Sequence, residues 1–553
     1  MTDFLRLAPF LLDDEALAWV ETTRDGLSLD EQVGQLFNFM SRGTGPEEAE
    51  RLRALQPGGI TRMFGPDFET EANLMDQIRA EAGIPLLLSA DLEGSLMSLR
   101  FGTEVPNPLA LAAVDDVAAT SAIATIIAEE GAALGINWSF TPVIDINTNW
   151  RSPIVATRGF GADVDRIERH ALATIKAFQA AGVAATVKHW PGDGEDDRDQ
   201  HLVTTINPLS IEDWEATHGR LYRAAIAGGV DSVMSAHIAF PAFVRALDPN
   251  ATTEAYRPAA VSRVLNIDLL RDRLGFNGLI VSDATSMGGF GAFASRRDML
   301  PEVIENGCDM ILFSPDPDAD IALIRAAVRD GRISKGRLRD ALTRILGMKA
   351  ARGLHRQPFT PALSQRARVG RTESRAVAEA VFARTPTLIK DTTGLLPLNP
   401  ARHRRVLLVT GGVVTPFMPP QPLALTALLA AEGFEVELHE PGKMIDPAAH
   451  DLVLFALAEE TLLLRGRIFL DWHRLMGGID VVMQRVWHDV PTILISFGFP
   501  YMLYDAPRVP TAINAYGSSP AMQKAVLDCL LGRVSFNSSS PIDPFCGLED
   551  AHW

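Results

Sequence analysis

The chain has 553 residues, 47% of them hydrophobic and 22% charged, which is an ordinary globular composition and long enough for two or three domains of roughly 100–200 residues each. Fifty-one basic against 69 acidic side chains leave a formal net charge of −18, which excludes nucleic acid as the main partner, because a phosphate backbone needs a basic face. Cys308, Cys529 and Cys546 lie far apart without C-x-x-C spacing, so neither a disulfide framework nor a zinc site is expected, and a reducing compartment is the simplest setting.

The N-terminal run MTDFLRLAPFLLDDEALAWVE has no basic leading segment and no cleavage pattern, and Asp13, Asp14 and Glu15 interrupt its apolar part. No uncharged apolar stretch reaches the roughly 18–20 residues of a membrane span. The expectation is a soluble cytoplasmic protein with no membrane partner. From about residue 28 to 350, short apolar runs alternate with longer amphipathic ones. The apolar runs are GGITRMF (58–64), IPLLLSAD (84–91), INWSFTPVIDI (136–146), AATVKHW (184–190), DSVMSAHIAF (231–240), GLIVSDA (278–284) and CDMILF (308–313). DRIERHALATIKAFQAAG (165–182) and IEDWEATHGRLYRAAIAGG (211–229) read as helices, the second stopped by Gly-Gly. Such alternation predicts a parallel sheet covered on both faces, and seven or eight units predict an α/β (β/α)₈ TIM barrel over 1–350. A polar, Pro-containing stretch at 351–371 reads as a linker. The strands RRVLLVTGG, DLVLFAL, PTILISFG and TAINAYG predict a smaller open α/β sandwich domain over 372–553. Gly411-Gly412 is not part of a dinucleotide fingerprint.

Several of these strands end in polar or ionisable residues: Asp91, Asp145, Lys188 with His189, His237 and Asp283. In a (β/α)₈ barrel the active site sits at the C-terminal ends of the strands. The densest polar segment, KHWPGDGEDDRDQH (188–201), must be a loop. Its acids do not make a calcium loop, because the sixth and twelfth positions from Asp193 are Arg198 and Thr204 rather than Gly and Glu. Asp199 and His201 are two apart, so in extended backbone their side chains share a face, and the carboxylate can hold the imidazole as a general acid/base. Asp283 closes an apolar strand, where a carboxylate is either a helix cap or a nucleophile.

KHWPGDG…DQH resembles the Lys-His-aromatic-Pro-Gly-x-Gly…Asp-Ser-His loop of glycoside hydrolase family 3 β-N-acetylglucosaminidases. GFNGLIVSDATSM is similar to that family's nucleophile segment, and SVMSAHIAFP, SFTPVIDI, ATRGFG and DLEGS fall in the family's order. SRAVAEAVFARTPTLIKDTTGLLPL and ISFGFPYML resemble its second domain. The resemblance implies a retaining exo-glycosidase that removes terminal β-linked N-acetylglucosamine through a covalent glycosyl-enzyme on Asp283, with Asp199 and His201 as the acid/base pair. It implies that Asp91, Arg158, Lys188 and His189 grip the sugar, with His237 in support, and that no metal or organic cofactor is needed. Its partner is a carbohydrate substrate; homodimerisation is one role left open for the second domain, cleft closure another. The chain departs from the pattern at Asp193, Gln200, Ala284, Trp190 and Ser95-Leu96, all expected around the sugar pocket. The alternatives are a family 3 β-glucosidase, a β-N-acetylglucosaminide phosphorylase and an inactive sugar-binding protein.

Overall fold

The structure is a computed structural model that describes residues 2–356, 358–415, 419–461 and 463–553. Eight parallel strands form the first sheet: β1 (Phe37–Ser41), β2 (Gly59–Arg62), β3 (Leu87–Ala90), β4 (Trp138–Ser139), β5 (Thr186–Trp190), β6 (Ser232–Ser235), β7 (Leu279–Ala284) and β8 (Met310–Leu312). Each pairs with its neighbour in chain order, and β8 returns to β1. Between β4 and β5 only single bridges, Trp138 to Ala184 and Val143 to Lys188, complete the ring. The Trp138 indole closes this seam by donating to Thr186 Oγ1 at 2.8 Å. The barrel is therefore nearly closed, as the apolar runs predicted.

β1 had no counterpart among the predicted strands. Its sequence, FNFMS, is short and carries Asn38 in the middle, which breaks the apolar run. Asn38 points into a buried polar layer: its amide donates to Ser89 Oγ (2.9 Å) and accepts from Thr61 Oγ1 (2.8 Å). Three small polar side chains from β1, β2 and β3 thus satisfy one another where a lone one would be costly. The predicted helix at 211–229 is two helices, Ile211–Ala216 and His218–Ala227. The break at Thr217 has a packing cause. Its hydroxyl bonds back to Asp213 O, and the Trp214 ring fills the space at Gly219, where a Cβ would meet it at 2.6 Å.

The second sheet contains β9 (Thr387–Asp391), β10 (Arg405–Val409), β11 (Val413–Val414), β12 (Glu435–Leu438), β13 (Leu452–Glu459), β14 (Thr492–Ser496) and β15 (Thr511–Asn514). Its order is β9-β15-β14-β13-β10-β12, with β11 beside β13. All pairs are parallel except β9 with β15. Residues 362–370 lie against the barrel: Ala362 N and Leu363 N donate to Asp76, and Gly370 N donates to Glu130. The C-terminal segment also returns to the barrel, where Ala162 N donates to Pro541 O at 3.0 Å. Gly161, in ATRGFG, has φ of 101°, and a Cβ there would lie 2.4 Å from that carbonyl, so only glycine permits the approach. Among the described residues no helix is long and apolar enough to cross a membrane.

One buried charge at the opposite end of the barrel bears on stability. Lys349 lies in the helix Lys335–Ala351 and donates to Gln35 Oε1 at 2.5 Å. Burial pushes its ammonium down to about 7. An unfolded lysine titrates at about 10.4, so between these values the unfolded chain binds more protons and stability rises with pH. Wild-type melting temperature should climb from pH 7 to about pH 10 relative to Lys349→Met, with the difference largest at the lower pH. Parallel melting curves for the two proteins across that range would contradict this assignment.

Candidate active site

β5 and the loops that follow β3 and β4 bring four charges together. Lys188, in β5, donates from Nζ to Asp91 Oδ1 at 2.8 Å and contacts Glu93 Oε1 at 2.6 Å. Arg158 grips Glu93 with two parallel bonds, Nε to Oε2 at 2.8 Å and Nη2 to Oε1 at 2.7 Å. Burial would raise the Glu93 carboxyl, but the charges of Arg158 and Lys188 outweigh it and hold the group far below the usual carboxylate range. Burial likewise opposes the charge on Lys188, and Asp91 and Glu93 restore it. The Asp91 side chain keeps 31% of its surface, whereas Lys188 and Glu93 are almost fully covered. Asp91 therefore offers the free acceptor of the cluster, with charged donors behind it, which suits a ligand rich in hydroxyl groups.

His189, next to Lys188, is oriented by Asp145. Its Nδ1 lies 2.5 Å from Asp145 Oδ2, and its backbone N–H donates to Asp145 Oδ1. Asp193 N reaches the same oxygen at 2.8 Å, so Asp145 gathers both ends of the KHWPGD turn. Burial would raise the Asp145 carboxyl, but the His189 charge and these bonds bring it down. The Asp193 side chain is almost fully covered. Gln200 Nε2 donates to its Oδ2 at 3.1 Å, and burial beside Asp145 pushes it well above the usual range. The departures at 193 and 200 are thus partners of each other. Gln200 Oε1 in turn accepts His237 N at 3.2 Å.

Asp283 is the penultimate residue of β7. Burial favours its neutral form, but the nearby charges of His189, His237 and His201 prevail and lower it. The dyad loop docks on the chain just beyond: Gly288 N donates to His201 O at 2.8 Å and Gly289 N to Gln200 O at 3.2 Å. Within that loop His201 Nδ1 and N both lie 2.8 Å from Asp199 Oδ1. The carboxylate assigns a proton to Nδ1 and leaves Nε2 for other partners. Asp199 is held ionised, burial being outweighed by the His201 bond and charge. His237 is fully buried, with Nε2 3.0 Å from Ala284 O and its ring edge on Phe290. Burial lowers it, while the Asp283 charge opposes that, and the ring stands as a support behind β7. The structure thus joins Asp91, Lys188 and Arg158 in one cluster, and seats the loop that carries Asp199 and His201 on Gly288 and Gly289, beyond the strand that carries Asp283. Glu93 was not singled out from the sequence. Its signal was present in DLEGS, two residues after Asp91.

Because Glu93 compensates two buried cations, its removal should be severe. Breaking a buried pair by deleting one partner costs about 3–5 kcal/mol. Glu93→Gln should lower the melting temperature sharply and weaken sugar binding, both read in thermal melts with and without ligand. A variant that melts with the wild type would mean that Lys188 and Arg158 do not depend on Glu93.

Residues 28–348 match the family described as "Glycosyl hydrolase family 3 N terminal domain". The chain is 41% identical to the "Beta-N-acetylglucosaminidase/beta-glucosidase" of Cellulomonas fimi over 99% of both chains. The solved "Beta-glucoside phosphorylase BglX" superposes with a TM-score of 0.92 at 34% identity, covering 99% of each chain. A family 3 β-N-acetylglucosaminidase from Paenibacillus sp. str. FPU-7 superposes at 0.80 with 25% identity, covering 95% of this chain and all of its own. With the family matched across more than half its length and a near full-length relative at this identity, the chain belongs to glycosyl hydrolase family 3.

Proposed function

We propose that this protein is a retaining exo-glycosidase that removes terminal β-linked N-acetylglucosamine. The observations that support the proposal are the docking of the Asp199–His201 loop on Gly288 and Gly289, in the turn that follows β7, the imidazole held by Asp199, and the lowered Asp283 carboxyl. In the first step an Asp283 oxygen forms a bond to the anomeric carbon while the glycosidic C–O bond breaks. His201 gives the departing oxygen its proton, and Asp199 stabilises the imidazolium. In the second step water attacks the same carbon, passes its proton to His201 and releases Asp283. Asp91, with Lys188 and Arg158 behind it, and His189 set by Asp145 hold the sugar's hydroxyls. The acetamido preference is supported by the KHWPGDG…DQH resemblance and by the first half of the Cellulomonas fimi relative's name.

A second reading has phosphate in place of water, so that the product is a glycosyl phosphate. Two observations favour it. The loop offers an imidazole, held by Asp199, as the acid/base group of this reading, which does not repel an anion as a carboxylate does, and a phosphorylase superposes over 99% of the chain. Turnover of p-nitrophenyl β-N-acetylglucosaminide beside the β-glucoside, with and without inorganic phosphate, separates these readings. Acetamido preference with no phosphate dependence supports the proposal; glucoside preference or phosphate-dependent turnover replaces it with the corresponding alternative.

Two variants test the residues. Asp283→Asn is nearly isosteric and should abolish turnover with the melting temperature retained, while substantial residual activity would remove Asp283 from the nucleophile role. His201→Ala should lose about 10²–10⁴-fold on substrates with poor leaving groups and far less on dinitrophenyl glycosides, which need little acid assistance. Equal losses on both substrate types would speak against the general-acid role.

A further inference from the structure

We infer that the segment beginning at Glu460, immediately beyond β13 of the second domain, is a strap that positions both the sugar-gripping loop and the acid/base loop of the barrel. The acid/base half of this inference rests on the role given above to Asp199 and His201. Three residues of the segment touch three loops at the barrel mouth. Glu460 Oε1 accepts the Ser95 hydroxyl at 2.9 Å, two residues beyond Glu93. Thr461 Oγ1 lies 3.3 Å from Thr157 Oγ1, next to Arg158. Leu464 N donates to Asp199 Oδ2 at 3.0 Å.

The segment is itself anchored. Glu460 accepts Ser518 N (3.0 Å) and Ser518 Oγ (2.9 Å) within its own domain. Gly498 presses on the end of β13, where a Cβ would lie 2.0 Å from Glu459 O. Glu460 is fully buried among neutral donors, and burial raises its carboxyl. On the barrel side the loop is held in unfavourable backbone: Leu92 and Ser95 have φ of 48° and 46°. Such conformations persist where surrounding contacts impose them. For Asp199 the division of labour is explicit. Oδ1 receives both His201 bonds, and Oδ2 receives the Leu464 amide. Without that amide the carboxylate is free to rotate, and the imidazole it orients turns with it. Leu464 and Glu460 are therefore positioning residues, which act through Asp199 and Ser95.

The test compares two arms of the strap. Leu464 has φ of 67°, so Leu464→Gly keeps the amide in a conformation glycine accepts, whereas Leu464→Pro removes the donor and, its ring fixing φ at about −65°, also expels this arm of the strap from its seat. Leu464→Pro should reduce kcat/KM on alkyl glycosides about tenfold or more relative to its effect on dinitrophenyl glycosides, a fraction of what complete loss of the general acid produces. Leu464→Gly should retain the wild-type leaving-group dependence. On the other arm, Ser95→Ala should weaken N-acetylglucosamine binding about two- to tenfold, the span of one lost hydrogen bond, with that dependence unchanged. Proportional loss on both substrate types in a folded Leu464→Pro protein, or unaltered sugar affinity in Ser95→Ala, overturns the strap. If Leu464→Pro melts early, the Ser95→Ala arm decides alone. His201→Ala, run in parallel, keeps the two ideas apart: absence of leaving-group dependence there removes the acid/base reading, while the Ser95 arm still decides the strap.

Discussion

Two full positive charges, Lys188 and Arg158, are buried at the mouth of the barrel, and an uncompensated buried cation is among the costliest things a fold can contain. Glu93 makes the arrangement stable by facing both at once, through bonds of 2.6–2.8 Å. Lys188 lies within β5, and Arg158 and Glu93 lie in the segments that follow β4 and β3, so the requirement for charge pairing also pulls these segments into one geometry. Asp91, left partly open, then inherits a fixed position beside Lys188. Sugar recognition in this reading follows from an electrostatic constraint that the barrel has to satisfy in any case.

The same logic continues along β5. His189 takes its orientation from Asp145, whose oxygens also receive the backbone of the turn at Asp193. Gly194 sits with φ of 104° and would drive a Cβ to 1.8 Å from Ile146 O, so the 188–201 loop is pressed onto the end of the β4 segment. Asp193, Gln200 and the His237 backbone then form a buried chain of hydrogen bonds beneath the loop. Departures from the family pattern at 193 and 200 answer each other in this chain. A carboxyl pushed up by burial faces an amide there, and the bond between them seats the loop.

The second domain reaches three loops of the barrel mouth from the end of one strand. β13 is a central strand, buried on both faces, and the residues just beyond it reach Ser95, Thr157 and Asp199. Across the same boundary the Trp150 and Tyr504 rings lie 3.9 Å apart, and Asn107 donates to Tyr516 O. The groups of the proposed mechanism all belong to the barrel, yet their placement is shared between the domains.

Much of this was legible in the amino-acid sequence. Strand–helix alternation determined the barrel, because buried parallel strands need continuous apolar runs, and the polar strand ends at Asp91, Lys188, His189 and Asp283 marked one face. The spacing of Asp199 and His201 disclosed their contact but not its geometry: the backbone there is a turn, not extended, and the Asp199 carboxylate takes the His201 backbone N–H as well as its ring. β1 escaped notice because Asn38 interrupts its apolar run, and its partners, Thr61 and Ser89, lie in other strands. Glu93 was visible as an acid, but its pairing with Arg158 and Lys188 was not, since those residues lie 65 or more positions away and only closure of the barrel brings them within reach. Tertiary structure alone decided the part played by Leu464. Its contribution is a backbone N–H that every residue except proline possesses, so no side-chain pattern could single it out.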